Sequence, residues 1–275
     1  MSIKGWKYYN HAAVPTTAPH EEANIDAIND GSVWKELTPS PLLARWHSDW
    51  DCGYETEWWF EIKDTAFDSS LLKSKRRYEI NKGKKNYRVE TIDSTQYIAE
   101  LFEVTEEAIK GWPQKYRPSI SKESFNNSIE RWNECDVFGA FNSDNIIEGY
   151  AVVRDCGSYA EFAVLRAKPE AEKNAINAAI VAGIMDYYSD RLEGDFYIND
   201  GSRSISHETA FQEYLEKYFG FRKAYCKLHV KYRRGFGFVI KGIYPFRKLV
   251  KGNGVLGHRL SGILKMEEIV RSFKE

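Results

Sequence analysis

Three short alternating segments followed by one long apolar segment constrain the fold of this chain more than any other feature. Residues 136–167 contain DVFGAFNSD, IIEGYAVVRD and YAEFAVLRA, each with strand character and each separated by turn residues. Strands at hairpin spacing pair with their neighbours, so this region is predicted to form an antiparallel meander. Residues 170–188 follow with an apolar face that requires burial against a sheet. We therefore expect an α/β fold with a mixed, largely antiparallel central sheet flanked by helices.

Further elements are predicted on both sides of this region from hydrophobic periodicity and turn residues. Upstream, we expect a strand at EWWFEIKD, a helix from about Ser69 that is broken near Gly83, a strand at 87–92, and helices at 94–110 and 122–134. Downstream, we expect a strand at GDFYIND that ends in the turn Asn199-Asp200-Gly201, a helix that ends at Gly220, strands at KAYCKLHVKYR and FGFVIKGIYP, and a basic helix at about 256–274.

The N-terminal segment differs in character from the rest of the chain. Residues 1 to about 50 contain several prolines and are predicted to be irregular, yet their tryptophans require burial. We expect an arm that wraps on the body of the protein. The predicted organisation is an arm and basic helix at 1–86, the main domain at 87–245 and a basic helical tail at 246–275.

Several classes of protein are disfavoured by the composition. The four cysteines are at least 21 residues apart and the six histidines lack metal-ligand spacing, so we expect no metal site. The N-terminus has no apolar leader and no run of 18 apolar residues occurs, so we expect a cytoplasmic protein without a membrane span. The formal net charge of −1 neither favours nor disfavours a polyanionic partner.

The order of elements over residues 87–245 resembles that of the GNAT acyltransferase superfamily. In that family a loop of the form P-x-x-R-x-x-G-x-G precedes the long helix and binds the pyrophosphate of acyl-coenzyme A. The equivalent stretch here is KPEAEKNAINAAI, Lys168 to Ile180. Pro169 matches the family proline, Glu172 occupies the arginine position, and Ala175 and Asn177 occupy the positions of the two glycines.

The resemblance implies an acyl-CoA co-substrate, most plausibly acetyl-CoA. Its pantetheine would pair with the backbone of Val164, Leu165 and Arg166. Its phosphates would lie on the loop residues Lys173, Asn174, Ala175, Ile176 and Asn177. Glu170 and Glu172 oppose an anion at this helix end, whereas the neighbouring lysine and asparagine compensate. The alternative is that the stretch only begins a helix.

The resemblance also implies catalytic residues. Glu161 lies on the strand before the loop and is the candidate general base. Strict alternation would place Glu161 on the same face as Tyr159 and opposite Phe162 and Val164. Asn199 is a candidate substrate contact, and Tyr218 lies near the position of the family's thiolate acid, which is Glu216 here. A solvated strand glutamate, a turn asparagine and a core tyrosine are the structural alternatives.

A basic segment favours a different partner. Lys73 to Arg88 carries eight Lys or Arg residues against one Glu, and Arg76 and Arg77 are the candidate anion-binding residues because a guanidinium grips phosphate at two points. This segment is similar to the FemAB-like branch of the same fold, which uses aminoacyl-tRNA. The alternative is a solvated helix face.

Three hypotheses follow for the function. The first is a GNAT-like N- or O-acyltransferase that uses an acyl-CoA on a small or sugar-linked amine or hydroxyl. The second is a FemAB-like aminoacyl transferase that uses tRNA as the carrier. The third is a non-catalytic binding protein with a GNAT fold. The sequence does not decide the oligomeric state. It allows a homodimer in which the C-terminal strands of two chains pair.

Overall fold

The computed structural model describes residues 2–112, 114, 117–205, 210–250 and 254–273. The strands are β1 (Ser2–Ile3), β2 (Trp6–Tyr9), β3 (Ala12–Pro15), β4 (Leu43–Ser48), β5 (Trp58–Lys63), β6 (Arg88–Thr91), β7 (Cys135–Phe141), β8 (Ile147–Asp155), β9 (Tyr159–Ala167), β10 (Tyr197–Ser202) and β11 (Arg222–Tyr232). The α-helices are α1 (Asp26–Asn29), α2 (Ser32–Glu36), α3 (Ser74–Asn86), α4 (Ile98–Lys110), α5 (Lys122–Glu130), α6 (Pro169–Glu172), α7 (Ile176–Tyr187), α8 (Ala210–Phe219), α9 (Phe236–Ile243) and α10 (Gly254–Ser272).

The chain forms two compact units. Unit 1 comprises Met1–Glu61, Ser202–Thr209 and Lys223–Glu275, and unit 2 comprises Ile62–Gly201 and Ala210–Arg222. In unit 1 the strands β1, β2, β3, β4 and β11 are neighbours in that order. All of these pairs are antiparallel except β3 with β4, which is parallel.

The first 50 residues are more regular than the sequence indicates. The expectation of an irregular segment is wrong for β2, β3 and β4, which pair within unit 1. Their prolines do not interrupt this pairing, because Pro15 is the last residue of β3 and Pro39 and Pro41 lie in the connection before β4. Trp6 is completely buried and lies in a core cluster with residues of α1 and α2, so the tryptophan burial expected from the sequence is present.

Unit 2 contains the predicted meander. Its strands follow the order β10-β9-β8-β7-β6, in which β6 to β9 pair antiparallel and β9 pairs parallel with β10. Side chains of β8 enter two different clusters, so both faces of the sheet are covered. Ala151 and Val153 pack with α7, whereas Tyr150 and Val152 pack with α4 and α5. The predicted fold class, a mixed and largely antiparallel sheet flanked by helices, is therefore confirmed.

The basic helix continues through Gly83, so the expectation of a break at this residue is wrong. A short 3₁₀ turn covers Ser69–Leu71, and α3 then continues through Gly83 to Asn86. A Cβ at Gly83 would stand 2.8 Å from the amide nitrogen of Ala179, so the glycine permits close packing of α3 on α7. The lack of a side chain at Gly83 therefore allows the two helices to approach closely and does not change the direction of the chain.

The predicted strand at FGFVIKGIYP is wrong, because these residues form α9 and the turn after it. Gly235 adopts a φ of 87° and redirects the chain after β11. Ile240 is completely buried, whereas Phe238 and Val239 are exposed, so the burial follows a helix. A short apolar run without alternation fits a strand or a helix equally well from sequence, which explains the error. The predicted C-terminal helix is present as α10.

Two element boundaries also differ from expectation. The single helix predicted at 170–188 is divided into α6 and α7, with Ala175 in the left-handed conformation between them. Asn199, Asp200 and Gly201 do not end their strand, because β10 continues to Ser202. The first residues of the predicted helix that ends at Gly220, His207 among them, lie outside the described residues.

Candidate functional site

Strand β9 contains a bulge that changes the orientation of its side chains. Val152 of β8 pairs with Val164, but the next residue, Val153, pairs with Phe162, so β9 has one extra residue at Ala163. Phe162 packs in the cluster of α7, whereas Val164 packs in the cluster of α4. Glu161 therefore shares a face with Val164. The expectation that they lie on opposite faces is wrong, since strict alternation does not survive a bulge.

The parallel pairing of β9 and β10 covers only a short stretch. Tyr159 lies opposite Tyr197, and Glu161 lies opposite Asn199, which is the last pair. Beyond this point β9 continues to Ala167 and pairs only with β8. The two strands thus separate after Glu161 and Asn199 and leave an opening in the sheet. An opening of this kind at the carboxyl ends of parallel strands is a common place for a ligand in α/β folds.

Asn199 places a hydrogen-bond donor at this opening. Its side chain is 1% exposed, and its Oδ1 accepts a hydrogen bond from the amide of Gly201 at 2.8 Å. That bond fixes the orientation of the amide. The Nδ2 is buried and has no hydrogen-bond partner among the described residues. A buried donor without a partner is costly in a folded protein, so this atom is a candidate contact for a ligand oxygen.

Asp200 follows Asn199 in β10 and carries a titratable group that contacts α8. Burial raises the pKa of its carboxyl group to about 7; the charge of Glu161 acts in the same direction, and a hydrogen bond from Gln212 of α8 opposes it. A carboxyl group with a pKa near neutrality can accept or release a proton at physiological pH. The sequence identifies Asp200 only as part of a turn, because its burial depends on α8, which is distant in sequence.

Glu161 lies in a more polar environment than Asp200. Its side chain is 35% exposed, and its Oε2 accepts a hydrogen bond from Nη1 of Arg154 at 3.3 Å. This contact is an ion pair on a partly exposed surface, and such pairs contribute little to stability. The structure places Glu161 opposite Asn199 in the pairing of β9 with β10, and Asp200 is a second carboxyl group in the next position of β10.

Tyr218 lies on α8 and faces α3. Its ring stacks on Tyr214 with centroids 4.6 Å apart, and the guanidinium of Arg76 lies 5.8 Å from its centroid. Burial raises the pKa of the Tyr218 hydroxyl, and a hydrogen bond to Glu79 adds to this. These contacts belong to the packing of α8 on α3.

The two arginines of α3 each contact a backbone carbonyl. Nη1 of Arg76 donates to the carbonyl of Lys217 at 2.7 Å, and Nη1 of Arg77 donates to the carbonyl of Ser70 at 3.1 Å. Each bond fixes a guanidinium against its own unit. These arginines therefore stabilise the position of α3, and their remaining donors are available for an anion.

A different face of α3 carries exposed cations. Lys75, Tyr78, Lys82 and Lys85 fall within an arc of about 80° on a helix with 100° per residue. We call this set the α3 basic face. Lys75 and Lys85 are exposed, and Tyr78 between them is 69% exposed. Nζ of Lys82 donates to the carbonyl of Lys173 at 2.6 Å, so this face adjoins the turn between α6 and α7.

The residue that precedes α7 is an alanine in a backbone conformation that usually requires glycine. Ala175 adopts φ 63° and ψ 38° and directly precedes α7. This conformation costs a non-glycine residue roughly 1–2 kcal/mol, so the surrounding structure must hold it in place. The amides of Ile176 and Asn177 that follow begin α7 and have no partners inside the helix.

A pocket of about 230 Å³ lies beside this turn. The side chain of Arg166 stacks on the ring of Trp112 at 5.0 Å, and its Nη1 donates to the carbonyl of Leu165 at 2.8 Å. Burial lowers the pKa of Arg166. Oδ1 of Asn177 is buried and has no hydrogen-bond partner among the described residues. The lining includes Trp112, Leu165, Arg166, Pro169, Glu172 and Asn177.

The groups around the pocket fit the pyrophosphate of coenzyme A poorly. Arg166 is the cation of the lining, and the carboxylate of Glu172 opposes it. Nζ of Lys173 is paired with Glu170 at 2.8 Å, and both side chains are exposed. The atom without a partner, Oδ1 of Asn177, is an acceptor and offers nothing to a phosphate oxygen. The predicted loop residues thus come together, but their charges do not favour a dianion.

The described residues contain neither a cluster of metal ligands nor a membrane-spanning helix. Among the described residues, no group of histidine, cysteine, aspartate and glutamate side chains could hold a metal ion. Within the same residues, none of the helices combines the length and hydrophobicity that crossing a membrane requires.

Comparisons with known proteins concern the fold. No family model and no curated protein matches the sequence. The structure of L-PGS from Bacillus licheniformis is similar with a TM-score of 0.51 and 12% identity, covering 88% of this chain and 84% of that one. The structure of FemX is similar with a TM-score of 0.44 and 11% identity over 60% of this chain and 59% of that one. The PaiA N-acetyltransferase from Thermoplasma acidophilum, in complex with coenzyme A, has a TM-score of 0.31 and 23% identity over 38% of this chain and 74% of that one.

Proposed function

We propose that this protein is an acyl-group transferase that moves an acyl or aminoacyl group from a carrier to an amine or hydroxyl. The observation that carries this proposal is the opening between β9 and β10. There Asn199, which carries a buried amide donor and lies opposite Glu161, is followed in β10 by Asp200, whose carboxyl group has a raised pKa. Acyl transfer needs both a donor for the carbonyl oxygen and a base for the nucleophile.

The reaction assigns one role to each group. Asp200 accepts the proton of the attacking amine or hydroxyl, and a new bond forms between that atom and the acyl carbon. Nδ2 of Asn199 donates to the carbonyl oxygen, where negative charge develops. The bond from the acyl carbon to the carrier then breaks, and the proton held by Asp200 is available for the leaving oxygen or sulfur. Glu161, the base expected from the sequence, is the alternative acceptor of the first proton.

A tRNA is the carrier that the surface of unit 2 favours. The α3 basic face presents three lysines and an exposed tyrosine beside the turn before α7. Lysines bind the phosphate backbone, and an exposed ring can stack on an unpaired base. The α6–α7 turn lacks the charges that a pyrophosphate needs. Aminoacyl-tRNA is therefore our first choice of donor.

Acyl-CoA is the second candidate donor, and two features favour it. Ala175 keeps the left-handed conformation at a position where the GNAT loop has glycine, and Arg166 lines the adjacent pocket. Arg166 and the first amides of α7 are the groups that would hold the phosphates. Acetyl-CoA would supply an activated thioester. For either donor, we propose a small or sugar-linked acceptor.

Release of a labelled acyl group from its carrier tests the proposal without knowledge of the acceptor. The protein is incubated separately with a mixture of radiolabelled aminoacyl-tRNAs and with labelled acetyl-CoA, with and without pooled amines and amino sugars. Faster release from tRNA than from CoA supports the first donor, and the reverse supports the second. Calorimetric titration with coenzyme A gives an independent measure of binding. Binding of a donor without release from either carrier would instead support a non-catalytic binding protein.

A further inference from the structure

The C-terminal part of unit 1 has a strongly asymmetric charge. Residues 223–266 of the sequence contain eleven Lys or Arg residues and no Asp or Glu, although the whole chain has a formal net charge of −1. This segment includes most of β11, all of α9 and much of α10. A polyanionic or anionic surface is the partner that such a segment fits.

Large apolar side chains are exposed within the same segment. Phe238 is 82% exposed and Val239 is 53% exposed on α9, and Phe246 and Leu249 are 62% and 76% exposed in the 3₁₀ turn that follows. We call these four residues the apolar ridge. Ile240, on the opposite side of α9, is completely buried, so the helix is anchored in unit 1 while the ridge faces outward. Four such side chains close together in sequence are unusual on a surface that meets only water.

Cations flank the ridge. Lys241 and Lys248 are exposed and lie between the members of the ridge in sequence. Phe238 and Lys241 also line a pocket of about 620 Å³ whose other cations are Lys231, Arg233, Arg234 and Arg271. Its acidic residue, Glu267, is 7% exposed and accepts hydrogen bonds from Tyr232 and Arg271, both at 2.9 Å. The carboxylate is therefore engaged within the wall, and the pocket is left with a cationic surface.

We propose that the apolar ridge and its flanking cations bind the surface of a bilayer that contains anionic phospholipids. The ridge side chains enter the boundary between headgroups and acyl chains, and the lysines and arginines contact the phosphates. Apolar side chains beside Lys and Arg are the pattern of a segment that lies on a membrane. The charge complementarity decides against a second copy of this chain, because two such surfaces would bring like charges together. This proposal is independent of the proposed function.

Co-sedimentation with lipid vesicles tests the proposal. The full chain is mixed with vesicles of phosphatidylcholine alone and with vesicles that contain one third phosphatidylglycerol. We expect binding to the anionic vesicles at least about tenfold tighter than to the neutral ones, and weaker binding as salt increases. The triple variant Phe238→Ser/Phe246→Ser/Leu249→Ser should lose at least about tenfold in affinity, because the apolar area that enters the bilayer is removed.

Matched variants distinguish binding through the apolar ridge from non-specific adsorption of the protein to vesicles. Leu71→Ser/Ile146→Ser removes two other exposed apolar side chains, 84% and 51% exposed, and should leave vesicle binding unchanged. Arg234→Gln/Lys241→Gln should weaken binding to anionic vesicles but not to neutral ones. Failure of the unmodified protein to bind anionic vesicles would overturn the proposal. The proposal would also be overturned if the ridge variant bound anionic vesicles as tightly as the unmodified protein. A third contrary result is an unmodified protein that sediments as a dimer while the ridge variant sediments as a monomer, because the ridge would then be a contact between two chains.

Discussion

Gly83 of α3 packs so closely on Ala175 that a Cβ at Gly83 would stand 2.5 Å from the carbonyl oxygen of Ala175. Ala175 is the left-handed residue from which α7 begins, so α3 supports the turn from behind. The same contact positions the α3 basic face beside the turn. The packing of Gly83 thus keeps the α3 basic face next to the turn before α7. These are the two features from which we infer the acyl-group donor.

Replacement of Gly83 by alanine should destabilise the protein by about 1–3 kcal/mol, because the new methyl group meets backbone atoms that cannot move aside. Alanine would otherwise stabilise the interior of a helix by about 1 kcal/mol relative to glycine, so the steric effect must exceed that gain. Urea denaturation of the variant and the unmodified protein measures the difference.

Gly242→Ala is the control for this substitution. Gly242 also lies in a helix, and a Cβ there would have no atom within 4 Å. We expect this variant to be as stable as the unmodified protein or slightly more stable. Equal stability of the two variants would show that the contact of Gly83 with α7 is not tight.

The raised pKa of Asp200 should make the free energy of unfolding depend on pH. Because burial raises the folded-state pKa to about 7 from 3.8, the protonated form is favoured in the folded protein. The contribution of this carboxyl group to the free energy of unfolding is complete below about pH 4 and is lost as the pH rises through 7. At about 1.4 kcal/mol per pKa unit, the loss reaches at most about 4 kcal/mol. Asp200→Asn should remove this dependence, so the variant gains stability relative to the unmodified protein from pH 5 to pH 8.

Denaturation at several pH values, with Asp195→Asn as the control, checks this expectation. Asp195 is exposed, and its substitution preserves the same change in formal charge. The control should follow the unmodified protein at every pH. A constant difference between Asp200→Asn and the unmodified protein over this range would mean that the carboxyl group is not buried.

The α3 basic face should bind tRNA in a salt-dependent manner. Each lysine that contacts a phosphate contributes about 0.7–0.9 to the slope of log K against log salt concentration. The double variant Lys75→Gln/Lys85→Gln should therefore reduce this slope by about 1.5. Fluorescence anisotropy with labelled tRNA at several salt concentrations gives both slopes.

Lys35→Gln/Lys110→Gln is the matched control for the α3 variant. Both lysines are exposed, and the pair removes the same formal charge from other elements. We expect its slope to equal that of the unmodified protein. If both double variants lower the slope equally, binding depends on overall charge and the α3 basic face has no special role.

Long segments with a clear period were predictable from the sequence. The meander of β7 to β9 follows from alternation and turn residues, and the apolar stripe of 170–188 predicts α7. In both segments the local pattern agrees with burial in the folded protein.

Features that depend on distant contacts were not predictable. The bulge at Ala163 shifts the alternation of β9 by one residue without leaving a signal in the sequence. Gly83 resembles a helix breaker unless its contact with Ala175 is known. Asp200 resembles a turn residue because its burial and its bond from Gln212 arise only when α8 is in place.

The two carboxyl groups of the opening should differ in their effect on acyl transfer. Asp200→Asn should reduce the rate of release of the acyl group by about 10²- to 10⁴-fold, the usual contribution of a general base. Glu161→Gln should reduce it by less than about tenfold, because Glu161 is half-exposed and paired with Arg154. Measurement of the release rate for both variants, with the donor that the unmodified protein prefers, gives the comparison.

The pH profile separates a base from a residue that only maintains the structure. With Asp200 as the base, the rate of the unmodified protein should rise with pH through about 7 and then level, since only the carboxylate accepts a proton. Asp200→Asn should lack this rise, whereas Glu161→Gln should keep it. If Glu161→Gln instead removes the rise and Asp200→Asn keeps it, the base is Glu161. The carboxyl group of Asp200 would then have no part in the proton transfer.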